Sequence, residues 1–272
     1  MRLFLRYVLP FLLALPIGFL LLYPHLLRCM RIGESPQFRQ VSIIGKVYVN
    51  HTATRRQQQQ LRTHIQTARQ RIQQFWGGQQ GQATIIYCPK QADYERYCMG
   101  GEGAGCSIGT PWGASYLILG PDGNNADVIA HELCHDELFA RLGWWRIKRQ
   151  IPQWFNEGLA LMLDYRFSNP AVWEHPDNLE NNPSFSEEEH RQPFAEHPMV
   201  KLSDLESTRD FFGGDYGHVM LAYQTAADEV SRWLAVVGRA GVPALTNAVA
   251  NGSDFDDAYL GLEREKRHPK TK

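Results

Sequence analysis

The sequence predicts an α+β domain behind an N-terminal transmembrane anchor, with a small sheet preceding a long central helix and a mainly helical C-terminal half following it. Three observations predict it. Short runs rich in β-branched and aromatic residues, ATIIYC at 83–88 and ASYLIL at 114–119, are bounded by Gly and Pro in the first half of the chain. Apolar residues recur at three- and four-residue steps over 55–76 and again over 216–237. With 43% hydrophobic and 21% charged residues over 272 positions, the chain can bury a sizeable core, and its formal charge of −1 gives no argument for a nucleic-acid partner.

The elements follow in order. Residues 7–27, YVLPFLLALPIGFLLLYPHLL, form a nearly unbroken apolar run. At about 1.5 Å per residue this run is about 30 Å long, the thickness of a bilayer core. No small-x-small cleavage site follows it, so the run predicts an uncleaved single-pass signal anchor. Arg2 and Arg6 on one side and Arg28 and Arg31 on the other leave its orientation open. A short tail before an anchor stays cytoplasmic as a rule, which would put the rest of the chain in the periplasm or outside the cell. The expected division is an anchor with its flank at 1–31, one domain at 32–262, and a basic tail at 263–272, expected to be disordered.

Val41, Ile43, Val47 and Val49 predict extended structure broken at Gly45. Leu61, Ile65, Ala68, Ile72 and Phe75 form one stripe of an amphipathic helix over 55–76, ended by Gly77 and Gly78. Ala83–Cys88 is a buried strand stopped by Pro89, and Asp93–Met99 a short helix or turn. Residues 100–113, GGEGAGCSIGTPWG, read as a flexible loop, and Ala114–Leu119 as a strand. Cys88, Cys98 and Cys106 lie within nineteen residues and suggest a disulfide-stapled loop whose pairing stays open. No CxxC spacing points to a second metal site there. Trp144, Trp145, Arg146, Lys148 and Arg149 fall in a connection, and Phe167–Phe194 reads as an inserted polar loop with His175, His190 and His197 at its surface or near it. Lys201–Glu206, Tyr216–Val237, Val242–Ala250 and Phe255–Leu262 read as helices.

The central helix carries HELCH at 131–135. One helical turn separates His131 from His135, so both imidazoles can reach one ion, while Glu132 stands about 100° around the axis, placed to hold a water beside it. Neutral imidazoles suit zinc, and a catalytic zinc keeps three protein ligands and one open position. The expected third ligand is Glu157 in IPQWFNEGLALML, with Gly143 ending the first helix and Pro152 in the first turn of a second one, Gln153–Tyr165. Cys134 points away from His135 and reads as a packing residue. Asp164 and Asn156 are the two candidates for orienting a zinc-bound histidine.

HExxH followed by a WFNEGLA helix resembles the gluzincin metallopeptidases, the peptidase MA-like, thermolysin-type group, over roughly residues 84–260. The resemblance implies one Zn²⁺ per chain and a peptide or protein substrate. It implies that the strand Ala114–Leu119 is the sheet edge that pairs with the substrate backbone. It also implies a tyrosine that donates to the oxyanion. Matching AYQTAA selects Tyr223, with Tyr216 and His218 as rivals. That pattern departs from this chain at one point: an acid four residues after the ligand glutamate is replaced by Leu161.

The function expected is therefore membrane-anchored, zinc-dependent peptide hydrolysis with Glu132 as general base. The lack of a GAMEN-like stretch favours endopeptidase over aminopeptidase. Two other classes fit the same residues: a catalytically idle zinc-binding envelope module, and a zinc amidase acting on cell-wall peptides. Oligomeric state is left open.

Overall fold

A computed structural model describes residues 23–42, 45–99, 103–174 and 200–268. Among the described residues the architecture is α+β: a five-stranded sheet, then a mostly helical C-terminal half. The sheet comprises β1 (Phe38–Val41), β2 (Val47–Asn50), β3 (Thr84–Tyr87), β4 (Gly105–Gly109) and β5 (Ser115–Leu119), in the order β1-β2-β3-β5-β4. Strands β2, β3 and β5 run parallel to one another, while both outer strands pair antiparallel.

Strand alternation divides the sheet's two faces between two cores. Val47, Val49, Ile85, Tyr87, Leu117 and Leu119 point into the larger one, shared with the helices. Phe38, Ile86, Cys88 and Ile118 point into a smaller one with Tyr94 and Tyr97 of α3 (Gln91–Tyr97).

The crossover from β2 to β3 is α2 (Arg55–Trp76), which buries Leu61, Ile65, Ala68, Ile72 and Phe75 as its spacing requires. Thr54 opens it with a capping box: its hydroxyl accepts from the Gln57 N–H, and the Gln57 side chain accepts from the Thr54 N–H. Gly77, at φ 69°, closes it in the left-handed conformation that favours glycine.

From β5 the chain enters α4 (Ala126–Gln150), capped by the Asn125 side chain on the Asp127 N–H. Its helical geometry breaks at Gly143 (φ 75°, ψ 160°), a region open essentially to glycine alone. The predicted stop is therefore real, but residues 144–150, expected as a connection, resume as helix.

α5 (Gln153–Leu161) comes next, then α6 (Pro170–Glu174), α7 (Thr208–Phe212), α8 (Tyr216–Val237), α9 (Gly241–Ala250) and α10 (Phe255–Arg267). Trp154 and Phe155 of α5, Trp233 of α8, and Phe255 and Tyr259 of α10 form an aromatic cluster that fastens the helical half together. The expected tail from 263 is helical through Arg267, where Glu263 pairs with Arg232 and Arg267.

The structure corrects several of these expectations. Among the described residues no helix is long and apolar enough to cross a membrane. Residues 1–22 of the expected anchor lie outside the described residues. The next segment, α1 (Pro24–Met30), is a seven-residue helix. It buries Leu26 and Cys29, and Arg28 donates to the Arg96 carbonyl at 2.9 Å. The physical reason is that an apolar residue fits a protein core as well as a bilayer: Leu26, in the described end of the run, is buried. The single-pass membrane assignment, and the extracytoplasmic placement built on it, are withdrawn.

The Gly-rich stretch expected as a loop contains β4, and Cys98 pairs with Cys106 of that strand, leaving Cys88 buried and free. Strand β5 lies between β3 and β4 in the sheet, so Ala114–Leu119 offers no free edge. The edge is β4. Of the expected inserted loop, Pro170–Glu174 is helical, and residues 175–199, with His175, His190 and His197, lie outside the described residues.

Candidate metal centre

The site sits where α4 crosses α5. Val128, Ile129, Leu133, Cys134 and Leu138 bury one side of α4, which turns His131 and His135 toward α5 as half-buried side chains. The α5 N-terminus is fixed by the Gln153 and Trp154 N–H groups, which donate to the Glu206 and Leu205 carbonyls. That placement brings Glu157 opposite the histidines. His131 Nε2 and His135 Nε2 each lie 3.6 Å from Glu157 Oε2 and 3.3 Å from each other. Ligand bonds of about 2.0–2.1 Å in a tetrahedron give ligand–ligand edges of about 3.4 Å, so these three spacings fit one ion of zinc size. His131, His135 and Glu157 can hold a metal ion, and they are the three residues that the sequence selected.

Two of the three candidate ligands have a hydrogen-bonded positioning partner. Asn156 Oδ1 accepts from His135 Nδ1 at 3.0 Å, which leaves Nε2 free for an ion. His131 Nδ1 is buried without a hydrogen bond among the described residues, and the nearest acid is Asp164, whose Oδ2 is 4.0 Å away. Asp164 is itself held by a two-pronged pair with Arg166 at 2.6 and 2.9 Å. Gln153 donates to Glu157 Oε1 at 2.7 Å, leaving Oε2 toward the histidines.

The two sequence candidates for an orienting group thus serve different histidines. Asp164 does not arrive by helical periodicity. The helix expected to run to Tyr165 ends at Leu161, and turns at Leu163 and Asp164 bring the acid round.

Sequence reasoning missed three further features. Asp136 of α4 accepts from the Ser115 hydroxyl and the Ala83 N–H. Glu137 accepts from the Gln80 and Gly81 N–H groups and from Arg141. Together they pin the histidine helix to the starts of β3 and β5. The signal available was the pair of acids directly after His135, on turns whose other residues are apolar.

The third is Gly105. A Cβ there would stand 3.1 Å from Glu132 Cγ and 3.2 Å from its Oε1, so strand β4 passes directly against the glutamate. Glu132 is only 7% exposed and, among the described residues, makes no side-chain hydrogen bond or ion pair.

Tyr223, on α8, packs its ring edge-on against Phe211. Burial pushes its hydroxyl pKa up, and the charges of Glu157 and Glu132 push it further. Of its rivals, Tyr216 is 81% exposed, and His218 Nε2 is tied to the Asp210 carbonyl at 2.9 Å. Cys134 is buried, with its thiol pushed up by burial, as a packing residue would be.

A groove of about 370 Å³ opens beside His135 and Glu157, walled by β4, by α4 and by the start of α5. Its apolar surfaces come from Ile108, Phe139, Trp144 and Ile147.

Gly158, directly after the ligand glutamate, lets α5 approach α8. A Cβ there would meet the Ala226 carbonyl oxygen at 2.5 Å and Val230 Cγ2 at 2.7 Å. A backbone carbonyl cannot rotate away, so Gly158→Ala is expected to destabilise the fold by roughly 1–3 kcal/mol. The alanine's better helix propensity recovers only part of that loss. Urea denaturation of both chains measures it through the transition midpoint.

Compared with known proteins, the chain matches no family model and no curated relative. The reading of the site rests on its own residues.

Without metal, His131 and Glu157 act as an ion pair. Burial lowers the His131 pKa, but the adjacent Glu157 carboxylate and the charges of Glu132 and Asp164 outweigh it, leaving it above 6.5. Burial raises the Glu157 pKa, but the neighbouring His135 and His131 imidazoles and the Gln153 hydrogen bond outweigh it, leaving it below 4.5.

The signs give opposite windows. The His131 contribution is present below pH 6.5 and lost as pH rises through its raised value. That of Glu157 is present above pH 4.5 and lost as pH falls through its depressed value. A metal ion must displace the His131 proton, so its binding strengthens where the ion pair weakens. The rise in melting temperature caused by added zinc is therefore expected to be small near pH 5.5 and to grow through and above neutrality. Thermal scans with and without zinc across that range check it.

Proposed function

We propose that the chain is a zinc-dependent peptidase of the gluzincin type that hydrolyses internal peptide bonds. One observation carries this reading: two imidazoles and a carboxylate converge at tetrahedral-edge spacing, with an uncommitted, buried glutamate next to them on the same helix. A structural zinc would favour cysteine and four closed positions, whereas this set has three donors and one open side.

His131, His135 and Glu157 would hold the zinc ion, which would supply Lewis acidity toward a carbonyl and a water molecule. Glu132 accepts a proton from the attacking water and returns it to the leaving amine. Asn156 holds the His135 imidazole in the orientation and tautomer that ligation needs, and Asp164, 4.0 Å from His131 Nδ1, is the acid placed to do the same for His131 after a small approach. Tyr223 keeps its proton because its pKa is raised, so its hydroxyl can donate to the oxyanion.

Strand β4, the sheet edge beside Glu132, can accept a substrate backbone as an added strand. The edge role passes to it from Ala114–Leu119.

The test is a panel of casein, mixed peptides and muropeptides, each with and without a chelator. Chelator-sensitive cleavage of casein and peptides is the expected result. Cleavage confined to muropeptides would move the reading to a cell-wall amidase, and metal binding with no cleavage at all to a binding module.

A further inference from the structure

The groove beside the metal site has a wall that the reaction does not use. From Leu138 to Asn156 the chain carries Arg141, Arg146, Lys148 and Arg149 and not one acidic residue, in a protein whose formal charge is −1. Arg141 is neutralised by Glu137 at 2.8 Å. The other three are exposed or half-buried and, among the described residues, form no ion pair. They lie on the helical stretch that resumes after Gly143, and Lys148 lines the groove together with Trp144 and Ile147.

Among the described residues that line the groove, the acids are Asp136 and Glu157, and both are engaged elsewhere. Asp136 also lines the groove, but its carboxylate already accepts from Ser115 and Ala83. Glu157 belongs to the metal set. Trp145 is 56% exposed with Arg149 over its ring, so this stretch also offers a flat aromatic surface to a bound chain.

We propose that the groove selects peptides that carry acidic residues near a large apolar residue. This rests on the peptidase reading and names its substrate class. The apolar side chain packs against Ile108, Phe139 and Ile147, an acidic side chain reaches Lys148, and Arg146 and Arg149, on the outer faces of the same stretch, add to the positive field at the rim. Complementary charge at an exposed rim acts mainly on encounter and on discrimination between partners, and it weakens with salt.

The experiment measures fluorescence anisotropy of labelled dodecapeptides with a central Phe-Leu flanked by glutamates, by glutamines or by lysines. The full chain is used, zinc-loaded and carrying Glu132→Gln to suppress turnover. The glutamate peptide is expected to bind about 10-fold tighter than the glutamine peptide at low salt, with the gap closing toward unity at high salt. Adding Arg146→Glu, Lys148→Glu and Arg149→Glu is expected to reverse the order. None of the three residues is buried, and a circular dichroism melt checks the fold of the variant.

Equal binding of the three peptides, an order unchanged in the charge-reversed chain, or no peptide binding at all overturns the proposal. So does stronger binding to phosphatidylglycerol vesicles or to an oligonucleotide than to the glutamate peptide. Binding in the expected order, with no cleavage by the wild-type chain, would leave the acidic preference standing and remove only the hydrolytic reading. Cleavage by the wild-type chain with no acidic preference would remove this proposal alone.

Discussion

Glu132→Gln is expected to lower peptide hydrolysis by about 10²–10⁴-fold, the usual contribution of a general base, with bound zinc and KM little changed. The structure explains why the effect should be confined to kcat. Glu132 is buried against Gly105, but among the described residues it holds no hydrogen bond or ion pair for the substitution to break. Glutamine has the same shape, so the contact with β4 survives. What is lost is the basic carboxylate. Steady-state kinetics on one peptide, with zinc measured on the same preparations, give the result. A large rise in KM or a loss of zinc in this variant would mean that Glu132 binds substrate or metal, not a proton.

Glu157→Ala is expected to weaken zinc binding by more than about 100-fold. Removing a group that only orients a ligand typically costs about 10–100-fold, and Glu157 is placed as one of the three donors. The same change removes Glu157 from the groups that hold the His131 pKa up, leaving only the charges of Glu132 and Asp164 against burial, so that pKa falls. Asp164→Asn is the natural comparison, because Asp164 faces His131 Nδ1 from 4.0 Å and sits outside the donor set. It is expected to fall within the range of about 10–100-fold. Competition against a chromogenic chelator ranks the two. Equal losses would mean that Glu157 is no more than a second orienting group.

How far the sequence went depended on the kind of information each feature needs. The long helices were legible because a 3.6-residue stripe is local. α2 and α8 begin and end where the sequence indicated. The metal triad was legible for the same reason, two positions one turn apart plus one glutamate on the next helix.

Strand β4 was not legible. Glycine at 105 and 109 lowers strand propensity, yet the fold needs glycine there because the strand lies against Glu132 and Phe139. The identity of the sheet edge was not legible either, since an edge is a property of pairing and not of any one strand's residues. The disulfide partner of Cys106 depended on where α3 ends. The approach of Asp164 to His131 depended on α5 stopping at Leu161. At the N-terminus, apolar composition alone suggested a bilayer, whereas Leu26, in the described end of that run, is buried in protein.

The most direct measurement is a zinc titration of the metal-free full chain, reading bound metal and casein hydrolysis on the same samples. Hydrolysis that rises in step with zinc and saturates at one ion per chain is the result expected of a metallopeptidase built on His131, His135 and Glu157. Hydrolysis already present in the metal-free chain, or none when one zinc is bound, would contradict that function.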